Sequence, residues 1–222
     1  MGSLFNQVLL VMIILSILTH VESIRRLFIL KTFSELEQRI KNDILQILSY
    51  SAIPEDYEHA FNVLKWVHRL KPDADFPLRI ASLGHDIERA LPDQKVQRVN
   101  FSAYDDFKRA HAENSANIVD EILARYPVAP DVIERVHYLI ANHEFGKEGD
   151  LDLTILKDAD SLSFFEINLP YYFHREGEQE TYFRMQWGYN RMSERARQFL
   201  QNFSHEEDVL NDFLQKIQSL ST

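Results

Sequence analysis

Six side chains that can bind a metal ion are spaced along this sequence so that successive predicted helices carry one or two of them. His85 and Asp86 are neighbours, and they follow the small and apolar residues 81–84. Burying an unpaired charge in such a setting is costly, whereas an imidazole beside a carboxylate is a ligand pair for a divalent cation. The other candidates occupy the neighbouring predicted helices: His59, His111, His143 and Asp160. Because helical bundles build metal sites from side chains on facing helices, we expect the six residues to converge.

The elements that must position these residues are predicted to be helices. The chain has 222 residues, enough for one large domain, and only six glycines, which disfavours a fold with many tight turns. Apolar residues recur at helical spacing from residue 33 onward, and Ser34 with Glu37 has the pattern of a capping box. The next helix is predicted to turn Tyr57 and Phe61 towards the core. We therefore predict a single all-α domain.

Helix-breaking residues predict where the later elements lie. A helix that begins at Asp75 is predicted to run through His85 and Asp86, and residues 92–104 lack periodicity and are predicted to form a loop. Later helices are predicted at about 104–126, 131–143, 151–165, 190–202 and 205–219.

Residues 1–31 are predicted to form a separate apolar segment, and residues 32–222 the helical domain, with C-terminal helices from about residue 170. The run 8–18 is apolar apart from one serine but shorter than the ~20 residues of a membrane span. No positive charge precedes it, no clear cleavage site follows it, and two arginines come after it. We predict a cytoplasmic chain with an extended or docked N-terminus. The alternatives are a membrane anchor through residues 8–18 and a cleaved signal.

The composition excludes several kinds of chemistry. The chain contains no cysteine, so disulfides, thiolate catalysis, iron–sulfur clusters and cysteine-based zinc sites are ruled out. Its formal net charge is −10 and its pI is about 5.4, which argues against general nucleic-acid binding through a basic surface. An anionic small molecule is compatible with this charge if local cations or metal ions override the overall sign.

The order of the candidate residues resembles the HD-domain superfamily of metal-dependent phosphohydrolases. Residues 83–87 (LGHDI) are similar to the family's central motif, and residues 157–162 (KDADSL) are similar to its closing motif, which assigns the ligand to Asp160. Residues 111–116 (HAENSA) resemble the additional histidine helix of two-metal members. The resemblance covers about residues 55–165 and implies an HD-domain-like helical bundle.

The resemblance also implies two divalent transition-metal ions that share one bridging carboxylate, Asp86. The ligands of the first ion would be His59, His85, Asp86 and Asp160. The ligands of the second ion would be Asp86, His111 and His143. These nitrogen and oxygen donors accept Mn, Fe, Co, Ni or Zn. Two such ions would activate a water molecule to attack the phosphorus of a small phosphorylated substrate.

Cationic side chains are expected beside the ions, where they would neutralise charge on the phosphate. Arg89 lies one helical turn after Asp86, and Lys108 lies about one turn before the histidine of its own helix. Asp86, Arg89 and Lys108 are therefore assigned to the catalytic site. Arg191 and Arg195 either form a second clamp, with aromatic residues before them that could stack a base or sugar, or belong to an ordinary helix surface.

We predict from these residues an HD-type hydrolase that cleaves a phosphomonoester or a nucleotide-like ester. Two alternatives are open. Di-iron oxygenases of the inositol-oxygenase type use the same six ligand types to activate O₂, although Arg89 stands where they carry a substrate-binding lysine. A non-catalytic module could instead use the metal for regulation or assembly.

Overall fold

The computed structural model describes residues 34–219, and every regular element in that range is helical. The prediction of an all-α fold is therefore confirmed. The apolar run 8–18, the arginines that follow it and the predicted boundary between residues 31 and 32 lie outside the described residues. Within residues 34–219, no helix is both long enough and sufficiently apolar to cross a membrane.

The chain divides into two units, and the candidate site belongs to the unit Ile40–Thr222. The other unit, Met1–Arg39, is described only at residues 34–39. The helices are α1 (34–48), α2 (Asp56–Leu70), α3 (Phe76–Gly84), α4 (Tyr104–Leu123), α5 (Pro130–Asn142), α6 (Leu151–Ser163), α7 (Leu169–Glu176), α8 (Glu178–Arg191), α9 (Glu194–Phe199) and α10 (Asp208–Ser219). Single turns of 3₁₀-helix lie at Ile87–Ala90, Arg98–Asn100 and Leu200–Asn202, and a π-helical turn lies at Phe164–Asn168.

Side-chain caps define where the two helices next to the main candidates begin. Asp75 accepts a hydrogen bond from the Leu78 amide at 3.1 Å at the start of α3. Asp150 accepts one from the Leu153 amide at 3.2 Å at the start of α6. Each cap satisfies an amide group that has no partner within the first helical turn. The helix before the His-Asp pair and the helix that carries Asp160 therefore start at fixed positions.

The helices that carry the candidates pack directly against one another. α2 lies against α3 and α6, and α5 lies against α3 and α4. Fully buried aliphatic side chains fill the contacts, among them Ile80, Val119, Leu139 and Leu156. Burying each such side chain contributes about 1.5–3 kcal/mol of hydrophobic free energy. The same contacts that stabilise the bundle thus bring the polar candidates on these helices together.

Gly84 allows the end of α3 to approach α4 closely. A Cβ atom at this position would lie 2.6 Å from Cγ2 of Val119, which is too close for two carbon atoms without a shift of one of them. Because glycine lacks that atom, the backbone can pass beside Val119. His85 and Asp86 follow directly, so this contact determines where they enter the bundle.

The end of α3 differs from the sequence prediction. The helix stops at Gly84 instead of continuing through His85 and Asp86, which lie between α3 and the 3₁₀ turn Ile87–Ala90. Because of this break, the side chains of His85 and Asp86 point in directions that differ from those they would have in a continuous helix. Arg89 still lies near Asp86, because residues three apart are close on a 3₁₀ turn.

The predicted core face of α2 was wrong in part, since Val67 and Trp66 are buried as predicted but two other members are not. Tyr57 and Phe61 are 41% and 44% exposed, although both were expected to face the core. The buried face of α2 instead contains His59 and Val63. A histidine that belongs to a buried polar cluster occupies the inner face, and the two aromatic residues are consequently turned outward.

The predicted helix at 190–202 is interrupted. α8 ends at Arg191, Met192 has an extended backbone, and the Ser193 hydroxyl accepts a hydrogen bond from the Ala196 amide to begin α9. Arg191 and Arg195 therefore lie on different helices rather than one turn apart on the same helix.

Candidate metal centre

The six predicted ligand residues lie in one buried cluster. They come from the first turn of α2, the break after α3, the middle of α4, the end of α5 and the body of α6. All four histidines are no more than 3% exposed. The members of the cluster are His59, His85, Asp86, His111, His143 and Asp160.

Four of these residues surround a first position. The Nε2 atoms of His59 and His85 lie 3.2 Å apart. Oδ1 of Asp160 lies 3.2 Å from the first of them and 3.5 Å from the second. Oδ2 of Asp86 lies 3.8 Å from Nε2 of His85. When two ligand atoms each lie about 2.0–2.2 Å from the same metal ion, they are separated from each other by distances like the ones given above. The spacing of these ligand atoms therefore suits a bound cation.

A second position lies on the other side of Asp86. Its Oδ1 atom is 2.7 Å from Nε2 of His111 and 3.9 Å from Nε2 of His143. Glu144, which was not predicted, places Oε1 3.4 Å from Nε2 of His143. The two oxygens of Asp86 thus face two different groups of donors, which is the arrangement of a bridging carboxylate.

Hydrogen bonds determine which nitrogen the first two histidines turn inward. Nδ1 of His59 lies 2.9 Å from the Ser163 hydroxyl, which in turn donates to the His59 carbonyl oxygen at 3.2 Å. Nδ1 of His85 lies 3.1 Å from the Ser82 carbonyl oxygen. A carbonyl oxygen only accepts, and the serine hydrogen is already used, so both rings carry their hydrogen on Nδ1. In the neutral form of each ring, the Nε2 atom then presents a lone pair.

The other two histidines are oriented in the same way. Nδ1 of His143 donates to the Ile140 carbonyl oxygen at 2.7 Å, and its Nε2 atom is buried without a hydrogen-bond partner. Nδ1 of His111 donates to Oε1 of Glu88 at 2.7 Å. Metal-bound histidines commonly donate their other ring nitrogen to a carbonyl or carboxylate oxygen. Three of the four rings have this geometry, and His59 uses the Ser163 hydroxyl instead.

The donor set fits a cation better than it fits the protein alone. When the rings of His59 and His85 are neutral, their two lone pairs lie 3.2 Å apart with no hydrogen between them, and the buried Nε2 atom of His143 has no hydrogen-bond partner. Buried polar atoms without partners are uncommon because desolvating them is costly. A positive ion between the rings would remove that cost. The buried groups of this cluster can therefore hold a metal ion.

The pKa values of both carboxylates and of His143 agree with this interpretation. Burial lowers the pKa values of His85 and His111, but neighbouring carboxylates raise them overall, so a bound cation would have to displace their protons. Burial alone would raise the pKa of Asp86, but two neighbouring histidines and Arg89 hold it well below its usual range. Burial likewise opposes the ionisation of Asp160, whose pKa is nevertheless low because of Arg191 and the histidines. Burial lowers the pKa of His143, which keeps its imidazole neutral as a ligand must be. Both carboxylates and this ring are ready to bind a cation.

Glu144 is the main residue that the sequence prediction missed. It is only 2% exposed, forms an ion pair with Lys108, and lies 3.1 Å from Nη1 of Arg191. Its ligand atom lies within 4.8 Å of those of Asp86 and the two histidines of the second position. A carboxylate directly after a candidate histidine is the pattern already seen at residues 85–86, and this adjacency could have identified it.

The predicted cations lie at the edge of the cluster and are held by carboxylates. Nη1 of Arg89 donates to Oδ2 of Asp86 at 2.8 Å, and its Nη2 lies 3.0 Å from Oδ1 of Asp56. Lys108 pairs with Glu144. Both side chains also line a cleft of about 810 Å³ that reaches His111.

The two arginines that were candidates for a second clamp have different positions. Nη1 of Arg191 donates to Oδ2 of Asp160 at 2.9 Å, and Nη2 donates to the His143 carbonyl oxygen at 2.8 Å. Arg191 thus belongs to the cluster, where it holds two of its members. Arg195 is exposed on α9 and does not line the cleft.

A model of one protein family matches most of the chain, residues 31–211, and that family is described as a domain of unknown function, DUF4202. The matched range contains all six predicted ligands and Glu144. Among curated proteins and among solved structures, no similar protein was found.

Proposed function

Because the chain belongs to the DUF4202 family, whose description names no activity, we propose its function from the site itself. We infer a metal-dependent phosphohydrolase that uses two divalent cations to cleave a phosphate ester. The observation that carries the proposal is the position of Asp86. One of its oxygens faces His85 and the other faces His111 and His143, so a single carboxylate is shared by two groups of donors.

The ligands divide between two ions in this proposal. The first ion would be held by His59, His85, Asp86 and Asp160. The second would be held by Asp86, His111 and His143. Mn²⁺, Fe²⁺, Co²⁺, Ni²⁺ and Zn²⁺ all accept such imidazole and carboxylate donors. Two cations held this way lower the pKa of a bound water and stabilise the oxygens of a phosphoryl group during its transfer.

The protein's own contribution would be to fix these ligands. Ser163 and the carbonyl oxygen of Ser82 orient two rings of the first position, and Glu88 orients a ring of the second. Loss of such an outer partner commonly weakens metal binding 10- to 100-fold. Arg191 adds a positive charge that keeps Asp160 ionised.

The cleft supports a small phosphorylated molecule as the substrate. Its volume of about 810 Å³ is in the range of small-molecule sites, and its wall includes His111, Arg89 and Lys108. Fixed cations at this position would stabilise negative charge that develops on the phosphate oxygens. Because Asp86 and Asp56 hold the guanidinium of Arg89, little reorganisation would be needed when the phosphate binds.

One experiment separates this function from its alternatives. Protein loaded with Mn²⁺, Co²⁺, Ni²⁺ or Fe²⁺ is incubated with a panel of phosphorylated metabolites and nucleotides, and both phosphate release and O₂ consumption are measured. Metal-dependent phosphate release is the expected result. Consumption of O₂ with Fe²⁺ alone would favour an oxygenase, and bound metal without either reaction would favour a non-catalytic module.

Two variants make the test specific to the bridge. Asp86→Ala should lose both bound metal and phosphate release, because it removes the shared carboxylate. Asp212→Ala, which replaces an exposed carboxylate on α10, should retain both. Full metal occupancy in Asp86→Ala, measured by elemental analysis, would contradict the bridging role.

A further inference from the structure

The wall of the cleft is cationic in a protein that is acidic as a whole. Six basic residues and four carboxylates line it, whereas the chain has a formal net charge of −10. The basic residues are Arg89, Lys95, Arg98, Lys108, Arg175 and Arg184. A local reversal of sign in a concave site concentrates anions there.

Half of these basic residues are neutralised by the protein. Arg89 pairs with two aspartates, Lys108 pairs with Glu144, and Arg175 pairs with Glu55 at 2.9 Å and with Glu176 at 3.0 Å. The remaining carboxylates are also engaged. Glu88 accepts from His111, and Glu180 accepts from the Tyr172 hydroxyl at 3.4 Å.

The other half have no carboxylate partner among residues 34–219. They are Lys95, Arg98 and Arg184. The first two belong to the segment between the 3₁₀ turn at 87–90 and α4, and the third belongs to α8. Cations from two separate segments therefore face the same cleft without a protein anion to neutralise them.

The segment that carries Lys95 and Arg98 is tied to the metal cluster. Oε2 of Glu88 accepts a hydrogen bond from the Val96 amide at 2.9 Å, while its Oε1 atom accepts from His111. Asn114 donates to the same glutamate at 2.6 Å and to the Gln94 carbonyl oxygen at 2.7 Å. Glu88 thus fixes both His111, a candidate ligand, and the segment that carries two cations without a carboxylate partner.

Aromatic side chains hold the third cation and cover much of the remaining wall. The guanidinium of Arg184 lies 4.3 Å from the ring centre of Phe164 and 4.6 Å from that of Trp187. This stacking keeps the charge in place without neutralising it. The aromatic residues of the wall are Tyr104, Phe107, Phe164, Tyr172 and Phe183. Phe183 is 53% exposed, which leaves its ring available to a ligand.

We propose that the ligand of this cleft carries a planar ring and a second anionic group in addition to the phosphate at the metal centre. The second anion binds Lys95, Arg98 and Arg184, and the ring packs on the aromatic wall. This inference rests on the proposed function for the identity of the first phosphate. The limited volume of the cleft, about 810 Å³, and the acidic net charge favour a small molecule over a nucleic acid.

Four substrates separate the two features. Ribose 5-phosphate has neither a ring of this kind nor a second phosphate, and fructose 1,6-bisphosphate has only the second phosphate. Adenosine 5′-monophosphate has only the ring, and adenosine 3′,5′-bisphosphate has both. With Mn²⁺-loaded protein, kcat/KM should be at least about tenfold higher for the compound with both features than for either compound with one, because each charged contact is worth roughly that factor.

Variants of the three basic residues that have no carboxylate partner test where the second anion binds. Lys95→Met, Arg98→Met and Arg184→Met should each reduce the preference for adenosine 3′,5′-bisphosphate over the monophosphate about tenfold. The change should appear mainly in KM. Arg109→Met is the matched control, because its guanidinium also stacks on a ring, 4.2 Å from the centre of Phe145, but does not line this cleft.

The outcomes distinguish failure of this inference from failure of the proposed function. Phosphate release with equal preference for all four compounds, unchanged in the variants, would overturn the inference and leave the hydrolase intact. If no compound is hydrolysed, isothermal titration of Mn²⁺-loaded protein with the two adenosine compounds still tests whether the cleft binds the second anionic group. Binding at least about tenfold tighter for the bisphosphate, lost in the variants, supports the inference; equal binding, or tighter binding of a single-stranded oligonucleotide, overturns it.

Discussion

The Nε2 atoms of His59 and His85 lie 3.2 Å apart, and when both rings are neutral neither has a hydrogen on that nitrogen to donate to the other. The Nδ1 hydrogens of both rings are already bound by oxygens of Ser163 and Ser82. Two buried lone pairs directed at each other would repel, and a cation between them converts the repulsion into two ligand bonds. The orientation of the rings is therefore maintained by residues that do not touch the ion.

The role of Ser163 can be tested with a substitution that leaves the ligands unchanged. Ser163→Ala removes the acceptor of the Nδ1 hydrogen of His59 and frees the ring to rotate or change tautomer. We expect the dissociation constant of one metal ion to rise 10- to 100-fold. Ser161→Ala is the control, because this buried serine on the same helix donates only to the Lys157 carbonyl oxygen. Equal metal binding in the two variants, measured by competition with a chelator, would exclude the role.

The close approach of α3 to α4 makes Gly84 sensitive to a single added methyl group. The new Cβ atom of Gly84→Ala would lie 2.6 Å from Cγ2 of Val119, so the Val119 side chain or one of the helices must shift. Overpacking of this kind costs about 1–3 kcal/mol of the free energy of unfolding. Urea denaturation measures the loss.

A second substitution shows whether that loss comes from the contact with Val119. Val119→Ala removes the clashing methyl groups, so the double variant should be more stable than the sum of the two single effects predicts. Strict additivity would mean that Gly84 is required for another reason, such as the backbone conformation before His85.

Glu144 is expected to contribute to the second metal position. Its oxygen lies 3.4 Å from Nε2 of His143, and it is held by Lys108 and Arg191. Glu144→Gln should lower the amount of bound metal from about two ions to about one per chain at limiting metal concentration, because the amide is a weaker ligand and leaves Lys108 without its carboxylate.

Elemental analysis after gel filtration gives the stoichiometry for this variant. Glu121→Gln changes an exposed carboxylate on α4 in the same way and should leave it unaltered. If Glu144→Gln binds as much metal as the unaltered chain, Glu144 serves only to hold Lys108 and Arg191.

The ligand types, their helical spacing and the resemblance to the HD-domain motifs that selected Asp160 were together sufficient to identify the six predicted members of the cluster, because successive helices each carry one or two of them or end beside them. The contacts around them could not be predicted. Arg191 reaches Asp160 across 31 residues and His143 across 48, and only tertiary packing brings such pairs together. The periodicity of α2 failed for a related reason: hydrophobicity alone does not reveal that His59 faces inward and Phe61 outward.

The cap at the start of α6 predicts a specific response to acid. Hydrogen bonds from Arg135, at 2.8 and 3.1 Å, lower the pKa of Asp150 from its ordinary value of 3.8. A carboxylate whose pKa is lower in the folded chain stabilises the fold fully at higher pH, and this stabilisation disappears as the pH falls through the folded-state pKa.

Asp150→Asn keeps a good N-cap residue but removes the charge. The free energy of unfolding of the unaltered chain should therefore exceed that of Asp150→Asn by a constant amount between about pH 5 and 7, and the difference should shrink below about pH 4. Unfolding by urea at a series of pH values measures both proteins, and a difference that stays constant down to pH 3 would show that the ion pair with Arg135 does not set the acid stability of this helix.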